Sequence, residues 1–101
     1  MKSFGDMVKQ AQKMQKQMAE FQEKLADERY EASAGGGLVR AVVDGKLMLR
    51  ELKIDPKALE DSDATLLEDL LLTAIGEAQR TADARVQESI GKLIGGMNLP
   101  F

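Results

Sequence analysis

The chain of 101 residues contains no cysteine and no histidine. Without cysteine there can be no disulfide and no thiolate chemistry, which fits a reducing compartment. The loss of histidine as well removes the commonest general base and metal ligand, together with the Ser–His and Cys–His nucleophile pairs, so little is left from which to build an enzyme. Tryptophan is also absent. One Tyr and three Phe offer too little aromatic surface for unpaired bases to stack on, so a single-strand platform is not expected. The longest apolar runs, such as Leu70 to Leu72, are far too short to span a bilayer. These absences predict a cytoplasmic, non-enzymatic protein with no membrane, cofactor, metal or small-molecule substrate.

What is present is enough for one folded domain. Leu, Ile, Val and Phe make up 25 residues, about a quarter of the chain, which supports an aliphatic core rather than disorder. A monomer of this size buries only about two thirds of its unfolded surface, so association would help it. The formal charge is −3, but its distribution matters more than its sum. Residues 1–19 carry Lys2, Lys9, Lys13 and Lys16 against Asp6, a net of +3, whereas residues 60–69 carry Glu60, Asp61, Asp63, Glu68 and Asp69 with no base, a net of −5.

Hydrophobic spacing predicts an α+β order of helix, three strands and helix. Phe4, Met7, Ala11, Met14, Met18, Phe21 and Leu25 recur at alternating intervals of three and four, a heptad seam that should lie lengthwise against another long helix. Ser3 with Asp6 has capping-box spacing at the start of this helix, which runs over about 3–27. At about 1.5 Å per residue it is roughly 37 Å long, so part of it should project beyond a monomeric core. Strands follow at about 29–33, 38–43 and 46–54. Gly35-Gly36-Gly37 reads as a turn between the first two, because a phosphate-cradling loop would need Gly-Lys-Ser or Gly-Lys-Thr opening a helix. Asp44-Gly45 between two apolar runs predicts a two-residue hairpin turn, which would put apolar side chains on both sheet faces, and a slip of alternation near Arg50-Glu51 predicts a bulge. Asp55-Pro56 ends the strand. Asp63 or Thr65 should cap a second long helix over about 65–94. Its buried stripe comprises Leu67, Leu71, Ala74, Ala78, Ala82, Val86 and Leu93, widened by Leu70, Ile75 and Ile90. An apolar tail at 95–101 closes the chain.

Lys9, Lys13 and Lys16 fall on one helical face away from the seam. They read either as a solvated face or as phosphate contacts, and a homodimer would double the patch, with Gln10, Gln12, Gln15 and Gln17 beside it as neutral donors. Arg40, Lys46, Arg50, Lys53 and Lys57 alternate between faces and read as solubility charges or edge protection. Arg80 and Arg85 are expected to pair with Glu77 or Asp83. The carboxylates of residues 60–69 lack the ligand alternation and central glycine of a calcium loop, and Met7, Met14 and Met18 sit on the seam as core fillers rather than soft-metal ligands.

The chain resembles the YbaB/EbfC family of bacterial nucleoid-associated proteins. The resemblance is carried in order by residues 6–15 (DMVKQAQKMQ), by Gly35-Gly36-Gly37-Leu38-Val39, by Asp44-Gly45-Lys46, by Ile54-Asp55-Pro56, by Leu67-Glu68-Asp69-Leu70 and by Gly95-Gly96-Met97-Asn98-Leu99-Pro100. It implies a tweezer-like homodimer of α-β-β-β-α protomers, each with a three-stranded antiparallel sheet, binding duplex DNA in the cytoplasm at the nucleoid without catalysis. It also implies a working context near replication and recombination repair. The leading expectation is therefore DNA binding through Lys2, Lys9, Lys13 and Lys16. Phe4, Met7, Ala11, Met14, Met18, Phe21, Leu25, Leu67, Leu71, Ala74 and Ala78 would supply dimer or core packing. The alternative is an adaptor that holds replication or repair proteins, with DNA contact incidental.

Overall fold

The structure, a computed structural model, describes residues 3–60 and 63–96. Lys2, Asp61 and the apolar tail from Met97 to Phe101 lie outside the described residues. The elements run α1 (Phe4–Asp27), β1 (Tyr30–Ala34), β2 (Val39–Val43), β3 (Leu49–Ile54), α2 (Lys57–Glu60) and α3 (Ala64–Gly96). The three strands form one antiparallel sheet in the order β1-β2-β3.

Capping explains where the helices begin. The Asp6 N–H donates to Ser3 Oγ at 3.2 Å, and the Leu66 N–H donates to Asp63 Oδ1 at 2.8 Å, so each helix start has a free amide satisfied by a side chain. Asp63, not Thr65, caps α3. That helix continues through Gly95 and Gly96, two residues past the end at about 94 expected from sequence, so the first two residues of the expected tail are helical.

The β1–β2 connection is a glycine turn, with Gly35, Gly36 and Gly37 all at positive φ (65°, 69° and 98°). The β2–β3 turn differs from expectation. The Asp44 N–H bonds to the Met48 carbonyl, and the Leu47 N–H bonds to the Asp44 carbonyl, so the loop has three residues and Leu47 takes the left-handed position at φ 67°. β3 accordingly starts at Leu49 rather than near residue 46. The register then shifts by one, Val43 facing Leu49 while Val42 faces Glu51, which places the bulge at Arg50. Together the longer loop and the bulge overturn the expectation of two apolar sheet faces. Leu49, Leu52 and Ile54 lie opposite Val43, Ala41 and Val39 on one face, while Glu31, Arg40, Glu51 and Lys53 share the other, with Val42 buried among them.

α3 packs its small-residue stripe across β1 and β2. Ala74, Ala78 and Ala82 are fully buried against Ala34, Val39, Ala41 and Val43, with Leu67, Leu70, Leu71 and Ile75 half-buried around them. β3 lies beside this contact, and its Leu49, Leu52 and Ile54 remain exposed.

The chain is far from spherical. Its radius of gyration is 19.9 Å and its extents are 71 × 22 × 16 Å, against about 13 Å of gyration radius for a compact chain of this length. Two long helices account for this: α3, of 33 residues, is about 50 Å long, and α1, of 24 residues, is buried only at Leu25 in its C-terminal turn. Within the protomer its seam does not pack along α3 as its spacing predicts. Phe4 is 80% and Met14 49% exposed, Met7, Ala11 and Met18 are also exposed, Phe21 is half-buried and only Leu25 is buried. Among the described residues, no helix of the same chain covers the seam.

Candidate nucleic-acid interface

At 100° per residue, Lys9, Lys13 and Lys16 occupy an arc of roughly 60° and span about 10 Å of the axis of α1. All three are exposed, and none enters an ion pair among the described residues. Met7, Ala11, Met14 and Met18 point to the opposite side of the same helix by the same periodicity. A second apolar surface could therefore cover the seam without covering a lysine. Gln12, Gln15 and Gln17 are exposed on the flanks. Glu20 enters the lysine side only toward the base of the arm, so the first four turns of α1 carry no acidic residue other than Asp6.

The remaining bases are differently placed. Arg40 forms a double contact with Glu31, Nε to Oε1 at 2.7 Å and an Nη2 hydrogen bond to Oε2 at 3.2 Å. Arg80 pairs with Glu77 one turn back, as expected. Lys46, Lys53 and Lys57 are exposed around the hairpin. These charges do not converge with the α1 lysines into one surface within the protomer.

The hairpin loop contains a residue whose role sequence reading missed. Asp44 is completely buried. Its Oδ1 accepts from the Lys46 and Met48 N–H groups at 2.7 and 3.1 Å, and its Oδ2 accepts from Arg50 Nε at 2.8 Å. Burial alone would push its carboxyl upward. The hydrogen bonds from Met48, Arg50 and Lys46 outweigh that and hold it below the usual carboxylate range. Its signal in the sequence was the offset to Arg50, visible only once the bulge is known.

At the base of α1, the Tyr30 hydroxyl donates to Glu28 Oε2 at 2.6 Å. That bond, burial and the negative charge of Glu28 push the phenol up to about 12, with Arg85 acting in the opposite direction. The expected pairing of Arg85 with Glu77 or Asp83 is not among the ion pairs of the described residues. No group of His, Cys, Asp or Glu among the described residues could hold a metal ion, and no described helix is long and apolar enough to cross a membrane.

Comparison with known proteins places the chain. Residues 1–97 match the model of the YbaB/EbfC DNA-binding family. A nucleoid-associated protein of Acetivibrio thermocellus is 43% identical over 95 residues, covering 94% of this chain and 84% of that protein. One from Paramagnetospirillum magneticum is 42% identical over 100 residues, covering 99% and 94%. One from Thermoanaerobacter pseudethanolicus is 39% identical over 98 residues, covering 97% and 88%. Among solved structures, the uncharacterised protein HP0035 from Helicobacter pylori superposes with a TM-score of 0.79 at 21% identity, over 93% of this chain and 99% of that one, a similarity of fold.

Proposed function

This chain belongs to the YbaB/EbfC DNA-binding family, and from that premise we propose that it binds duplex DNA at the nucleoid as a homodimer, through the lysine faces of its two α1 arms. The observation that carries the reading is the two-sidedness of α1. Its apolar seam is left open by the chain's own fold, while Lys9, Lys13 and Lys16 stand unpaired on the opposite side. A second copy would bury the seam, and the exposed Leu49, Leu52 and Ile54 of β3 offer further apolar surface for it. Lys9, Lys13 and Lys16 would then project from a dimer as two separate cationic arms.

No catalytic chemistry is needed for this role. The lysines act as point charges that displace counterions from phosphates, and the glutamines can donate to phosphate oxygens or to base edges. Affinity is modest and weakly sequence-selective, because no arginine of α1 offers bidentate readout of guanine. The test is a gel-shift assay with Lys9→Glu, Lys13→Glu and Lys16→Glu combined. Duplex retardation is expected to disappear while circular dichroism stays helical; retained binding would reject the assigned face.

One observation favours a second reading, an adaptor for replication or recombination-repair proteins. Leu59 of α2 and Leu66 and Leu72 of α3 are exposed in the stretch that carries Glu60, Asp63, Glu68 and Asp69. Capture of such proteins that survives nuclease treatment and is lost in Leu66→Asp with Leu72→Asp would support it over the first.

A further inference from the structure

Among the described residues, the buried contact of α1 with the rest of the chain lies at its C-terminal turn. Leu25 is the one buried residue of this 24-residue helix. Its carbonyl oxygen accepts two backbone hydrogen bonds, from the Glu28 N–H at 3.2 Å and from the Gly45 N–H of the hairpin loop at 2.8 Å. The second contact is steric as well as polar. A β-carbon on residue 45 would lie 2.8 Å from the Leu25 carbonyl oxygen, 2.9 Å from Leu25 Cδ2 and 3.0 Å from a carboxylate oxygen of Glu28. The nearest of these atoms is backbone, so the clash is relieved by moving the last turn of α1, not by turning a side chain.

Both sides of this contact are braced. The buried Asp44 carboxylate clamps the loop through the Lys46 and Met48 amides and Arg50. The exit of α1 is tied by the Tyr30 hydroxyl on Glu28. Farther along the arm, Met14 and Met18 line an open apolar groove of about 240 Å³ with Leu93 of α3, and both methionines stay exposed.

We propose that the Leu25–Gly45 junction sets the direction of the α1 arm relative to the sheet, with Gly45 as a positioning residue that lets helix and loop backbones meet. The arm amplifies small changes at this point. From Leu25 to Phe4 it reaches about 31 Å, so a rotation of roughly 10° at the junction carries its tip about 5 Å. The junction itself is independent of any ligand. Its consequence for duplex binding rests on the reading above, since Lys9, Lys13 and Lys16 ride on this lever.

The absence of cysteine makes the test clean. Spin labels are attached to cysteines introduced at Gln12 and Ser33, both exposed. Labelled protein is mixed with a large excess of unlabelled chain, so that the intrachain distance is read by double electron–electron resonance without DNA. Gly45→Ala is expected to shift or broaden the distance by roughly 2–3 Å, the displacement a rotation of several degrees gives at residue 12. Gly36→Ala is the control. It forces alanine into a φ of 69° with nothing within 4 Å, so it costs stability but leaves the distance unchanged. A Gly45→Ala distribution coincident with that of the parent overturns the proposal, and so does an equal shift in Gly36→Ala. If Gly45→Ala does not fold, Tyr30→Phe takes its place: removal of the hydroxyl brace broadens the distribution, and an unchanged one overturns the proposal. A displaced arm that still binds duplex normally leaves the junction standing and counts against the lysine-arm reading.

Discussion

α1 and α3 are both long helices with an apolar stripe, yet they use it in opposite directions. The stripe of α3 is built on Ala74, Ala78 and Ala82, and such small side chains let a helix backbone approach a sheet closely and fill the space with the sheet's own valines. The stripe of α1 is built on Phe4, Met7, Met14 and Met18, long and flexible knobs suited to the grooves of another helix. A small-residue stripe is satisfied within the chain. The large-residue heptad stripe of α1 is left exposed along most of its length among the described residues, which is the surface the proposed second copy would cover. The same contrast separates the charges, since the face of α1 opposite its seam is free to carry lysines.

Three variants bear on this contrast. The largest effect is expected from Ala78→Asp. A carboxylate placed where the side chain is 0% exposed has no partner and should cost about 4 kcal/mol or more of a total of roughly 5–15, seen as loss of cooperative urea unfolding. Met14→Asp combined with Met18→Asp should do the reverse: the protomer keeps its circular dichroism while light scattering shows the dimer weakened by about 100-fold or more, the equivalent of two buried methionines per arm. An unfolded protomer there would make α1 part of the chain's own core, and an intact dimer would place the interface elsewhere. The smallest effect is expected from Asp44→Asn, which weakens the loop joining the two regions by about 2–3 kcal/mol at neutral pH, the range for hydrogen bonds to a charged group. Because the Asp44 carboxyl is held below its usual range when folded, its stabilisation is present above about pH 4 and is lost as pH falls through the folded value. Urea titrations at descending pH should show the parent losing this increment and Asp44→Asn lacking it.

Much of the fold was legible because local chemistry and global packing agree. The Ser3 cap, the Gly35–Gly37 turn and the alanine stripe each read correctly from spacing alone. The hairpin did not. Asp44-Gly45 favours a two-residue turn, but the Asp44 carboxylate draws the Lys46 and Met48 amides to itself and drives Leu47 into the left-handed region, a position no propensity would assign to leucine. The bulge at Arg50 follows from the same clamp through its Oδ2 bond, and it sorts the sheet into one apolar and one charged face. The seam of α1 was legible as a seam, but spacing does not say which chain supplies the partner helix. The lysine face was legible for a simple reason: exposed like charges at i, i+4 and i+7 need no tertiary context to be recognised.

Phosphate contact by the α1 lysines would show itself in how duplex affinity, measured by titration at several salt concentrations, depends on salt. Two arms with three lysines each give about six phosphate contacts, so affinity should fall roughly a thousandfold between 50 and 200 mM salt, and the slope should flatten when the three lysines are replaced by glutamate. An affinity nearly independent of salt, or a slope unchanged by those substitutions, would contradict the account.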